Sequence, residues 1–285
     1  MLEIEILGVI GAGQMGQGIA QVAAQAGYQV PLLDASLELA EAGRKRLELA
    51  VARLVERGKA SASEGEALLA RVTPVKDYDA LADADFVVEA ATEEIDLKER
   101  IFAAADRVMK HDAILASNTS SIPLTKLAAA TARPDRVIGM HFMNPVPAMK
   151  LVEIIRALQT SDETYQQTCE LANRMGKTLV TTKDMPGFIV NRMLIPLLNE
   201  ACFALQEGLG TIEDIDAGAR LGLNHPMGPF ELADLIGLDT VLHIAEVLQR
   251  EFGDDKYRPP TTLRNYVSAG WLGRKTGRGF YHYEK

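Results

Sequence analysis

The stretch ILGVIGAGQMGQGIAQVAAQAGYQVPLLD leaves a chain few ways to fold. A β-branched run over residues 4–10 enters Gly11-x-Gly13-x-x-Gly16, an amphipathic stretch over 15–26 leaves it, and beyond Gly27 a second apolar run over 29–33 ends on Asp34. Each glycine has a steric task. Gly11 makes the tight turn, Gly13 admits a pyrophosphate to the backbone, and Gly16 lets the helix lie close to the strand. The helix then directs unpaired N–H groups at an anion. A surface turn would explain the glycines alone, and a helix N-cap ahead of LELAEAGRKRL would explain Asp34 alone. Neither explains strand, glycines, helix, strand and acid in that order, so the segment reads as a Rossmann-type dinucleotide-binding turn, with Gln14 and Met15 in the same cofactor-binding set.

Asp34 also selects the cofactor. Its carboxylate can accept from a ribose 2'-hydroxyl but would repel a 2'-phosphate, and Ala35 and Ser36 beside it supply no cation, so NAD is favoured over NADP.

Up to about residue 184, short strand-like runs (4–10, 29–33, 85–89, 114–117, 137–140, 151–155, 178–180) alternate with helix-period runs (15–26, 37–57, 94–110, 162–175). This alternation predicts βαβ units and a mainly parallel sheet. SEGE, at Ser63 to Glu66, has the spacing of a helix-start capping box. After KDMPGF the pattern changes to helices separated by Gly and Pro. The boundary is placed at Asp184 to Pro186, giving an α/β domain over 1–184 and an all-helical domain over 185–285. The run from Phe188 to Ala204 is nearly all apolar. It should bend at Pro196 and be covered on most sides, by a core or by another subunit.

The 285 residues suffice for two cores. A net charge of -9, with Lys and Arg scattered, provides no footprint for nucleic acid or an anionic membrane and points to a small-molecule substrate. Cys169 and Cys202 lie in no metal or redox spacing and read as reduced structural thiols. No metal site is expected, because the histidines make no HxxxH pair, and no GxSxG supplies a hydrolase nucleophile. Met1 runs almost at once into IEILGVI, without a leader or a membrane span, so a cytoplasmic location is expected.

The chemistry is expected around HFMNPVPAMKLVEII. His141 follows the strand-like RVIGM, and ligands on open α/β sheets bind beyond the carboxyl ends of strands. Ser120, in SNTSSI after AILAS, should stand at the same edge. Glu153 lies within the apolar run Leu151 to Ile155, where burial would be unfavourable without a partner. Two readings stand: a carboxylate that fixes the His141 tautomer and steadies its charged form, or an edge-strand glutamate in water.

GAGQMGQGIAQ, SNTSSI, HFMNPVPAMKLVEII, PGFIVNR, HPMGPFELADLIGLD and KTGRGFYHY, in this order from end to end, resemble the 3-hydroxyacyl-CoA dehydrogenases, most closely the short bacterial 3-hydroxybutyryl-CoA type. The resemblance implies reversible NAD-dependent oxidation of an (S)-3-hydroxyacyl-CoA, a Rossmann domain followed by a helical one, and a homodimer formed through the latter. It places the catalytic pair on His141 and Glu153, the substrate-polarising serine on Ser120 and the asparagine on Asn191. Asp34 falls on the adenosine ribose, Glu93 and Lys98 near ribose and nicotinamide, Asn118 near that ring, and Asn144 beside the cofactor and histidine. Arg53 and Lys59 fall on basic coenzyme A contacts, where a solvated helix face is the competing reading. Longer or polar acyl chains, a free-acid dehydrogenase with a lysine proton donor, and a catalytically silent dinucleotide-binding relative are the rivals; the pair His141 and Glu153 and the segment HPMGPFELAD argue against the free-acid enzyme, and the set His141, Glu153, Ser120 and Asn191 against the silent relative.

Overall fold

Leu7, Val9 and Ile10 are almost completely buried, as a strand covered on both faces requires. They lie in β1 (Leu7–Ile10), at the centre of an eight-stranded sheet. The computed structural model of the chain describes residues 4–284 and separates after Met185 into two compact units.

In the first unit, α1 (Gln14–Gln25) follows β1, then β2 (Val30–Leu33), α2 (Leu37–Glu56), α3 (Ala62–Ala70), β3 (Val72–Val75), β4 (Phe86–Glu89), α4 (Ile95–Val108), β5 (Ile114–Ser117), α5 (Leu124–Ala129), β6 (Val137–Phe142), β7 (Leu151–Arg156), α6 (Asp162–Arg174) and β8 (Thr178–Lys183). The order across the sheet is β3-β2-β1-β4-β5-β6-β7-β8. Every neighbouring pair is parallel except β6 and β7. The reversal follows from chain length: the short segment 143–150 can close an antiparallel hairpin but cannot carry a parallel crossover. Ile19, Ala23 and Val22 of α1 pack with Val9, Leu32, Val88 and Ile138 in the core.

Two expectations need correction. The strand β3 is absent from the periodicity reading because Pro74 interrupts it; it sits at the sheet edge, where a missing N–H is tolerated. The capping box is formed by Ser61 and Glu64, two residues earlier than expected, and Ser63 lies inside α3. The competing reading of Asp34 as a helix N-cap fails, since Ser36 accepts the N–H of Leu39 at the start of α2.

The second unit contains α7 (Val190–Gln206), α8 (Ile212–Ala217), α9 (Pro229–Ile236), α10 (Leu238–Phe252) and α11 (Thr261–Ser268). Helix α7 continues through Pro196 and buries Ile195, Leu198, Ala201 and Cys202 against Phe230, Ala233, Leu248 and Phe280. Two buried carboxylates fasten the closing segment. Asp216 accepts from the N–H groups of Phe230 and Glu231 and from the Tyr281 hydroxyl. Asp234 accepts from the N–H groups of Phe280 and Tyr281 and from the Tyr283 hydroxyl. Burial, with Asp234 nearby, pushes the Cys202 thiol up to about 12, which leaves it un-ionised and inert. No helix among the described residues is long and apolar enough to cross a membrane.

Candidate active site

The strand order changes direction at β1 and β4, and it is beyond the carboxyl ends of strands at such a switch point that open α/β sheets bind ligands. The glycines there have distinct constraints. Gly11 has φ +98°, and a Cβ on it would lie 2.6 Å from the Ala90 carbonyl oxygen. A Cβ on Gly16 would lie 1.7 Å from the Gly11 carbonyl oxygen. A Cβ on Gly13 would meet nothing within 4 Å, so open space lies where a phosphate would approach. Gly13 is the N-cap of α1 and offers no side-chain cap, which leaves the helix end to an anion. Asp34, at the end of β2, accepts from the N–H groups of Ala12 and Ala35, both at 2.6 Å. These residues fit NAD.

Two further residues brace this loop and carry no motif. A Cβ on Gly43 would meet Ala12 Cβ at 2.6 Å, so its absence brings α2 against the loop. Arg46 donates to the Ala12 carbonyl at 2.8 Å.

His141 lies within β6 rather than after it, and in the antiparallel ladder its partner is Glu153. Directly opposed residues project to one face, so the side chains meet. His141 Nδ1 is 2.7 Å from Glu153 Oε2. Glu153 is 0 % exposed, because β8 covers the outer side of β7, and this overturns the reading of a solvated edge glutamate. With Nδ1–H given to the carboxylate, Nε2 is the acceptor of the neutral ring.

Glu93 gathers the turn after β5. Its Oε1 accepts from the Thr119 hydroxyl at 2.6 Å, the Ser120 N–H at 2.8 Å, the Ser121 hydroxyl at 3.0 Å, the Ser121 N–H at 3.1 Å and the Ser120 hydroxyl at 3.2 Å. Burial alone would raise its carboxyl, but the Lys98 ammonium and these donors outweigh burial and hold it below its ordinary value. Asn118 accepts the Phe142 N–H at 2.9 Å, which ties this turn to the strand of His141. Gln14 Nε2 donates to Asn144 Oδ1 at 3.0 Å and joins the start of α1 to the turn after β6.

Several polar residues beneath the site lie outside the motifs. Glu89 at the end of β4 accepts from Lys98 at 2.5 Å and from the Ser117 hydroxyl at 2.6 Å. Lys98 is only 1 % exposed, so its ammonium works from below the crevice. Lys177 donates to the carbonyls of Val146 and Met149, at 2.6 and 2.9 Å, and burial lowers its pKa. For Glu89 the available signal is an acid at the end of the apolar run FVVE, a position where burial demands a partner.

The first unit therefore brings together Gly11, Gly13, Gln14, Met15, Gly16, Asp34, Glu93, Lys98, Asn118, Ser120, His141, Asn144 and Glu153 along one sheet edge. Asn191 is buried in the first turn of α7, in the second unit. Arg53, in the last turn of α2, and Lys59, between α2 and α3, are both exposed.

Fold and edge together define a nucleotide-dependent oxidoreductase with a histidine-carboxylate pair. The NAD-binding domain of the 3-hydroxyacyl-CoA dehydrogenases matches residues 6–185 and their C-terminal domain residues 187–283. The chain belongs to the 3-hydroxyacyl-CoA dehydrogenase family, and NAD is its cofactor. It is 53% identical over 284 residues to the "Probable 3-hydroxybutyryl-CoA dehydrogenase" of Bacillus subtilis, covering 100% of this chain and 99% of that one. It is 50% identical over 280 residues to the 3-hydroxybutyryl-CoA dehydrogenase of Bradyrhizobium diazoefficiens, covering 98% and 96%. Among solved structures, (S)-3-hydroxybutyryl-CoA dehydrogenase from Ralstonia eutropha superposes with a TM-score of 0.95 at 50% identity, over 99% of this chain and 100% of that one.

Proposed function

We propose that this chain reversibly oxidises short-chain (S)-3-hydroxyacyl-CoA thioesters, 3-hydroxybutyryl-CoA foremost, to 3-ketoacyl-CoA, with His141 as the acid-base group and Glu153 as its brace. The observation that carries the chemistry is the 2.7 Å contact of His141 Nδ1 with a fully buried Glu153. Neutral His141 removes the 3-hydroxyl proton through Nε2, and Glu153 offsets the charge of the resulting imidazolium. NAD, when bound, accepts the hydrogen and electron pair leaving C3. In the reverse direction His141 returns the proton.

Ser120 and Asn191 donate to the oxygen that gains charge and to the acyl carbonyl. Ser120 suits this role because its hydroxyl makes the longest of the hydrogen bonds to Glu93 Oε1, at 3.2 Å, and so loses least on turning to a substrate. Asp34 takes the adenosine ribose, and Asn118, Asn144, Glu93 and Lys98 serve the other half of the dinucleotide. Arg53 and Lys59 meet the coenzyme A phosphates. The first unit is the NAD-binding domain and the second the substrate and dimerisation domain. A homodimer through the second is supported by exposed Met193, Leu209, Leu221 and Leu223. The enzyme works in the cytoplasm.

The test is a steady-state series of 3-ketoacyl-CoA thioesters, short to long, with NADH and NADPH in parallel and free acetoacetate as control. Acetoacetyl-CoA with NADH should be the best pair. Equal rates on free acetoacetate would identify a free-acid dehydrogenase, and no turnover on any thioester would identify a silent relative. Light scattering on the eluting protein reads the dimer.

A further inference from the structure

Glu89, at the carboxyl end of β4, is 0 % exposed, as fully enclosed as Glu153. In the ladder it lies between Ile10, which leads into the glycine turn, and Ser117, which leads into the Asn118 to Ser121 turn. All the donors that reach it identify it as an anion. Oε1 accepts from the Ala91 N–H at 2.6 Å and from Lys98 at 2.5 Å. The Ser117 hydroxyl donates to Glu89 Oε2 at 2.6 Å and accepts the Thr119 N–H at 3.2 Å. Lys98 Nζ also lies 3.5 Å from Glu93 Oε2. Two carboxylates thus share one ammonium, and the cluster retains one negative charge.

The reading of Asp34 as the adenosine ribose contact leaves the β4 and β5 side of the crevice to the nicotinamide half. The nicotinamide carries a positive charge when oxidised and none when reduced. A fixed negative charge in a poorly screened site beneath it therefore acts on one redox form only. We propose that Glu89 sets the redox preference of the cofactor site, favouring oxidised over reduced nicotinamide through the unneutralised charge of the Glu89, Lys98 and Glu93 cluster. The proposal rests on the dinucleotide orientation given above.

The test measures dissociation constants of NAD+ and NADH, without substrate, for the wild type, Glu89→Gln and Ser117→Ala. Glu89→Gln keeps the shape and removes the charge, whereas Ser117→Ala breaks the same hydrogen bond and keeps the charge. The ratio Kd(NAD+)/Kd(NADH) should rise by roughly fivefold or more in Glu89→Gln and stay within about twofold in Ser117→Ala. Parallel weakening of both forms in Glu89→Gln, with the ratio unchanged, would show a purely structural tie and overturn the proposal. An equal shift of the ratio in Ser117→Ala would do the same. If Glu89→Gln does not fold, Glu93→Gln at the more exposed end of the cluster must move the ratio in the same direction, or the proposal fails. A wild type that binds neither form overturns the dinucleotide reading itself.

Discussion

Gln14 and Asn144, 130 residues apart, are joined side chain to side chain at 3.0 Å, so the N-terminal end of α1 is tied to the turn that follows the histidine strand. The packing below agrees, since a Cβ on Gly18 would meet Val146 Cβ at 2.8 Å. Because the bond is exposed, its net worth is modest, about 0.5–1.5 kcal/mol. Gln14→Ala is expected to raise the KM for NADH by roughly two- to tenfold while kcat changes less. Steady-state kinetics with NADH varied read this split.

The glycines give a sharper contrast. Gly16→Ala drives a Cβ into the Gly11 carbonyl and should prevent correct folding of the loop. Gly13→Ala meets nothing and has φ -68°, which alanine adopts freely. Its thermal midpoint should match the wild type while NADH affinity falls at least about tenfold, because the added methyl stands where the pyrophosphate must approach. Unchanged affinity in titration would remove Gly13 from the cofactor site.

General acid-base assistance is worth about 100- to 10,000-fold in rate. His141→Gln should therefore lower kcat by at least about two decades with NADH affinity nearly unchanged. Glu153→Gln should lower kcat by a smaller factor, because it keeps a hydrogen-bond acceptor for Nδ1 but loses the offsetting charge. Near-normal turnover in His141→Gln would sink the assignment.

Glu93 makes stability depend on acid. Its folded carboxyl titrates below its ordinary value of 4.5, so the stabilisation it contributes is complete above that pH and is lost as pH falls through the lower folded value. Thermal melts of wild type and Glu93→Gln should differ at neutral pH and converge progressively below about pH 4.5.

Lys177 holds the turn from the other side. Lys177→Met keeps most of the side-chain volume but leaves the carbonyls of Val146 and Met149 without that donor. A loss of about 1–3 kcal/mol in denaturant unfolding is expected, the usual penalty of an unsatisfied buried polar group.

How far these features can be read in the sequence depends on whether local pattern or distant packing determines them. The glycine turn, Asp34 and most strands are legible because sterics and short runs of apolar, β-branched residues act within a few positions. Strand β3 is not, since Pro74 disguises an edge strand whose pairing with β2 comes from far along the chain. The reversal at β7 hides in plain alternation, although the length of 143–150 carried the clue. His141 and Glu153 could be singled out, but only the β6 to β7 register shows that they face each other. Glu89 escaped because a final acid on FVVE looks like the end of a strand reaching water. Its buried partners, Lys98 and Ser117, come from other elements.

Since ladder register rather than loop length sets the separation of His141 and Glu153, the two parts of this hairpin should tolerate change very differently. Extra residues spliced near the tip, between Pro147 and Met149, leave the two rungs aligned. One residue inserted inside either strand, between its rung and the core-facing residues beyond, sends an imidazole or a carboxylate to the opposite surface of the sheet. Remodelling for new acyl groups therefore has room at the tip and none along the rails.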